Sequence, residues 1–112
     1  MIFIEMVVLK ELKKIITAVL EEKGITVEKV ILFGSRAKKE EKSQSDWDIL
    51  VLVKEKIPMH EKISIWYAVS HAIHERYPIS LDLIIKSIDD FEKEKEVVNT
   101  ISSEAALEGR EI

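Results

Sequence analysis

Residues 30–53 read VILFGSRAKKEEKSQSDWDILVLV, and the order of chemistry within this stretch decides the fold. An apolar run, Val30 to Phe33, meets Gly34 and Ser35. Ten residues follow, almost all polar, and then come Asp46, Trp47 and Asp48 and a second apolar run, Ile49 to Val53. Short apolar runs bounded by glycine and polar clusters read as buried strands, so the pattern is strand, tight turn, polar connection, strand. Glycine directly after a strand lets the backbone turn sharply and lets an anion approach the main chain. A following serine can donate its hydroxyl and cap a new helix, and backbone N–H groups exposed at such a turn form an anion cradle.

Side chains alternate along a strand, so Asp46 and Asp48 project to one side, with Cα atoms roughly 6 to 7 Å apart at about 3.3 Å per residue. Two carboxylates at that spacing repel unless a cation lies between them. Hard divalent cations take oxygen ligands, and Mg²⁺ is commonly held by one or two carboxylates together with substrate phosphates. A phosphate cradle beside a carboxylate pair therefore suits a metal-bound nucleotide. A third carboxylate would serve as base or further metal ligand. Asp82 is the candidate, because it interrupts the apolar strand pattern Ile79 to Ile85, where an unpaired charge is costly. The chain has sixteen glutamates and only five aspartates, and three of the five are Asp46, Asp48 and Asp82. The others, Asp89 and Asp90, follow Ser87 at an expected helix start, where acidic groups complement the helix dipole.

On Gly34, Ser35, Arg36 and Ala37, then Ser45, Asp46, Trp47 and Asp48, with Asp82 on a later strand, the chain resembles the minimal nucleotidyltransferase (MNT) family, within the superfamily related to DNA polymerase β. The resemblance implies an α/β (α+β) fold: a polymerase β-like nucleotidyltransferase core, a small mixed β-sheet with helices packed on one face. It implies transfer of AMP from ATP to a hydroxyl, with release of pyrophosphate. Asp46, Asp48 and Asp82 would be the catalytic residues and the ligands of Mg²⁺, two ions in all, and Gly34, Ser35 and Arg36 would hold the nucleotide. Arg36 could equally brace the loop by pairing with an acid. Many members of that family are antitoxins of a small helical HEPN-type toxin, whose tyrosine they modify. Two other readings stand beside this one: a catalytically silent antitoxin that acts by binding, and a nucleotidyltransferase for a small molecule or RNA.

Composition bounds these readings. At 112 residues the expectation is a single cytoplasmic domain, 1–112. The absence of cysteine excludes disulfides and thiolate metal sites, and His60, His71 and His74 are poorly grouped for zinc. A net charge of −4 argues against broad nucleic-acid binding. The apolar amino terminus is broken by Glu5 and followed at once by Lys10, Glu11, Lys13 and Lys14, which argues against a membrane span. It reads instead as an amphipathic helix with Phe3, Met6, Leu9, Leu12, Ile16, Val19 and Leu20 on one stripe and Gly24 as its stop. Part of that stripe, Phe3, Met6 and Leu9, could dock a partner, and self-association as a homo-oligomer is left open. A second helix is expected from Pro58 to about Arg76, packing through Ile63, Trp66, Tyr67, Val69, Ala72 and Ile73. One long helix is expected from Ser87 to Glu108, through Phe91, Val98, Ile101 and Ala105.

Overall fold

The computed structural model of the chain describes residues 2–34, 47–77, 79–98 and 100–112, with side chains from residue 7 onward. Four strands form one mixed sheet: β1 (Val27–Phe33), β2 (Trp47–Val53), β3 (Leu81–Ser87) and β4 (Arg110–Glu111), in the order β3-β2-β1-β4. β1 runs antiparallel to β2 and to β4, whereas β2 and β3 are parallel. Parallel neighbours need a crossover, and α2 (Met59–His74) supplies it.

The first helix, α1 (Ile2–Glu22), ends as its sequence predicts. Gly24 adopts φ +79°, the Gly24 N–H donates to the Glu21 carbonyl, and the Ile25 N–H reaches back to the Leu20 carbonyl. This is a Schellman cap, and its two apolar ends, Leu20 and Ile25, are both buried in the core. Leu9, Leu12, Ile16 and Leu20 of α1 pack with Ile65, Val69 and Ile73 of α2 on one face of the sheet, against Val30, Leu32, Ile49, Val51 and Leu83. Trp47 is buried in the same layer, as expected for a residue pointing away from its flanking aspartates.

Alternation puts the remaining strand residues on the other face. Ile31, Phe33, Leu50 and Leu52 form a smaller cluster there with Phe91 of α3 (Ile88–Glu94) and Ala105 of α4 (Ile101–Glu108). The expected covering of one face thus describes the two long helices, while the two short ones lie over part of the opposite face.

Three expectations are corrected by the structure. The helix expected from Ser87 to Glu108 is broken between Glu94 and Ile101. Thr100 caps α4 by accepting from the Ser103 N–H and donates its hydroxyl to the carbonyls of Glu94 and Val97, which closes α3 and restarts the chain in a new direction. Val98, placed by helical spacing on the buried side, is exposed. On α2, Ile65, Val69 and Ile73 at four-residue spacing face the core, leaving Ile63, Trp66 and Tyr67 exposed. The third correction concerns Leu9, which is packed in the core and is not part of a free docking stripe; the side chains of Phe3 and Met6 lie outside the described residues. No helix among the described residues is long and apolar enough to cross a membrane.

Candidate active site

Sheet register brings two of the three predicted acids together. In the parallel pair of β2 and β3, Asp48 stands opposite Asp82. Neighbouring strands lie about 4.8 Å apart, so the two carboxylates leave the sheet side by side on one face. That face is the one carrying Leu50 and Leu52, and each aspartate is the second residue of its strand. Asp48 is half-buried and Asp82 exposed.

The turn after β1 meets this pair. Phe33, the last residue of β1, stands opposite Asp48 in the antiparallel register, and Gly34 follows it with φ +73°, in the left-handed region that favours glycine. A Cβ added to Gly34 would fall 2.2 Å from Oδ2 of Asp48 and 3.1 Å from its Cγ. The glycine thus has two independent reasons to lack a side chain. It must turn the chain, and it must let the Asp48 carboxylate press against the backbone. Sequence reasoning gave the space above Gly34 to an approaching phosphate; in the structure the nearest part of that space holds the Asp48 carboxylate.

Ser35, Arg36 and Asp46 lie outside the described residues. Among the described residues no group of three or more histidine, cysteine or acidic side chains converges on one point. The two carboxylates at matching register, one held against a glycine that a side chain would displace, have the donor chemistry of a hard divalent cation, so Asp48 and Asp82 fit a Mg²⁺ site.

Farther along the same face, Lys86 of β3 is held by Glu94 of α3, and Ser102 Oγ donates to the same Glu94 oxygen at 3.1 Å. The Lys86 ammonium first, and then the Ser102 hydroxyl, hold the Glu94 carboxyl below its usual range. This polar bridge ties β3 to both α3 and α4. At this same end of the strands, away from the aspartates, the Thr26 N–H and Oγ1 donate to the two oxygens of Glu55, at 2.9 and 3.0 Å, and the Thr26 backbone bond is the main cause of a lowered Glu55 pKa. Neither clasp is signalled by a local sequence pattern, since each joins segments that only the fold brings together. His71 pairs with Glu75 at 3.1 Å, one turn along, which gives it a structural partner in place of a metal.

A glycine turn closing on paired strand carboxylates, on a mixed sheet of this order, is consistent with a nucleotidyltransferase, and the family match shows it. Residues 13–104 match the family described as Polymerase beta, Nucleotidyltransferase. The chain belongs to that family and is a nucleotidyltransferase of the MNT type. It is 38% identical over 81 residues to a protein of Methanocaldococcus jannaschii named "Putative protein adenylyltransferase MJ0141", a match covering 72% of this chain and 74% of the relative. Its fold resembles a chain in a solved structure described as a toxin-antitoxin with AMP-PNP, at TM-score 0.59 and 16% identity, covering 88% of this chain and 69% of that one.

Proposed function

We propose that this chain transfers AMP from ATP to a tyrosine hydroxyl on a small helical toxin of the HEPN type, acting as its antitoxin. The observation that carries the reading is the pairing of Asp48 with Asp82 beside the Gly34 turn. A domain that worked by binding alone would have no use for two adjacent carboxylates held at the cost of a left-handed glycine. The name of the archaeal relative supports transfer to a protein, and the toxin-antitoxin description of the structural neighbour supports the class of partner.

In this reading Gly34, Ser35 and Arg36 hold the triphosphate, and Asp46, Asp48 and Asp82 converge on the α-phosphate. Mg²⁺, when bound by these carboxylates, would neutralise phosphate oxygens and offset the repulsion among the acids. Tyrosine has an ordinary pKa near 10 and must lose its proton to attack at neutral pH. Asp82 would accept that proton, a role its exposure to solvent supports. The hydroxyl oxygen then bonds to the α-phosphorus, the bond from that phosphorus to the bridging oxygen breaks, and pyrophosphate leaves.

Co-expression with the product of the neighbouring gene, followed by intact mass measurement of both chains, tests the proposal. Added AMP on the partner that disappears in Asp82→Asn supports it. A complex that protects the cell without added mass would assign the chain to neutralisation by binding, and transfer to RNA or a small molecule with an unmodified partner would assign it another acceptor.

A further inference from the structure

Among the described residues the sheet ends at one edge in the two-residue β4 and at the other in β3, which presents seven residues, LDLIIKS. Natural edge strands are commonly short, bulged or proline-bearing, because an open edge recruits another strand. β3 is neither short nor bulged and holds no proline; the charges it carries, Asp82 and Lys86, are of opposite sign and can face each other across a two-fold pair. Along it runs a groove of about 440 Å³ lined by Ile84 and its neighbours in β3, by Met59, Ile63 and Trp66 of α2, and by Ile101 of α4. Met59, Ile63, Trp66 and Ile101 are all among the exposed large apolar residues, so apolar surface flanks the open edge on both faces of the sheet.

The hydrogen-bond phase of this edge is fixed. The Trp47 N–H donates to the Ser80 carbonyl at 2.9 Å. In a parallel ladder, alternate residues turn both main-chain groups to the same neighbour, so Asp82, Ile84 and Lys86 bond towards β2 while Leu83 and Ile85 face outward. An antiparallel strand can therefore join only in a register that pairs outward residues with outward residues. For a second copy of β3 related by a two-fold axis, one such register is centred on Ile84. It pairs Leu83 with Ile85 through hydrogen bonds, sets Ile84 against Ile84, and sets Asp82 against Lys86 at both ends. All three of Asp82, Ile84 and Lys86 lie on one face, and opposite residues in an antiparallel pair share a face. The same two-fold axis brings the exposed apolar flanks of the two α2 helices together on the other face. Registers centred one residue to either side lose the charge match.

We propose that the chain forms a two-fold dimer through β3 in the register centred on Ile84, continuing the sheet from one copy into the next. The strand is self-complementary in hydrogen bonding, in apolar flanks and in charge, which is the requirement of an isologous interface. Each Asp82 then takes the register position opposite Lys86 of the other copy, whose ammonium Glu94 holds within its own chain, so the charge match only supplements the strand hydrogen bonds and apolar flanks. The two candidate active sites lie on a common face, with their Asp82 Cα atoms about 14 Å apart at about 3.4 Å per residue.

Two measurements on the full chain test this independently of catalysis. Light scattering over a concentration series is expected to give twice the 12.9 kDa chain mass, and Ile63→Glu, at an exposed position, is expected to give the single mass with unchanged circular dichroism. The register is read by Ile84→Cys. Non-hydrogen-bonded antiparallel pairs have Cα atoms about 4.5 Å apart, within disulfide reach, so the cysteine-free chain should acquire one symmetric disulfide in oxidised glutathione. A cysteine at Lys14→Cys, exposed on α1 and outside the groove, should link far more slowly. A monomer at all concentrations overturns the proposal. So does a dimer that survives Ile63→Glu, or one in which Ile84→Cys links no faster than the Lys14 control.

Discussion

Gly34→Ala is the most informative single change, because the structure assigns it two separable costs. The first is conformational: at φ +73° a Cβ costs about 1–2 kcal/mol. The second is steric. The new methyl would lie 2.2 Å from Asp48 Oδ2, so the carboxylate must retreat by roughly 1 Å, at about 0.5–1.5 kcal/mol if it leaves its rotamer. Together these give about 2–3 kcal/mol, a fall in Tm on the order of 10 °C for a domain of this size. Transfer should fall by about 100-fold, since a displacement of this size at a reacting centre costs that much. The two costs separate in a double-mutant cycle with Asp48→Ala, followed by urea unfolding. With the carboxylate gone, Gly34→Ala should cost only the conformational part, leaving a coupling of about 1 kcal/mol. Equal costs in both backgrounds would refute the view that Asp48 presses on the Gly34 backbone.

Further outcomes follow from other parts of the structure. Asp48→Asn and Asp82→Asn should each abolish transfer while leaving Tm unchanged or raised, because each removes a charge from a crowded acidic pair; loss of both activity and stability would make that residue structural. Calorimetric titration should show ATP binding more tightly with Mg²⁺ than with chelator, and Asp82→Asn should shrink the difference; equal affinities would remove the metal-site reading. Thr100→Ala should cost about 1 kcal/mol by uncapping α4, and Thr100→Ser should restore most of it, with chemical denaturation as the readout. The carboxyls of Glu94 and Glu55 both lie below their ordinary value of 4.5, so their contributions to stability are fully present above that pH and are lost as pH falls through the lower folded values. Glu94→Gln should accordingly narrow the gap in unfolding free energy between pH 7 and pH 3, and an unchanged gap would show that the Lys86 bridge contributes nothing.

What could be read in the sequence was whatever depends on neighbours along the chain. The strands around Phe33, Leu50 and Leu83 announce themselves by apolar runs, and the end of α1 by Leu20, Gly24 and Ile25, because caps and alternation are local rules. The choice of α2 face was illegible because that helix carries two apolar stripes, and only packing against α1 decides that Ile65, Val69 and Ile73 are buried while Ile63 and Trp66 are left over. The break before α4 was illegible for a related reason: Thr100 is an ordinary helix residue by spacing and becomes a cap only once its hydroxyl finds the Glu94 and Val97 carbonyls. The candidate site falls between these cases. Residue type alone groups Asp48 with Asp82, yet what joins them is a strand register that neither residue encodes locally. Gly34 is the instructive position. Its glycine was assigned to the site for the room it offers a phosphate, and the structure uses that room first for a carboxylate on the next strand. A sequence therefore reports that space is required before it can report what fills it. At this site the glycine fixes where the Asp48 carboxylate can stand, and the strand register sets that carboxylate beside Asp82.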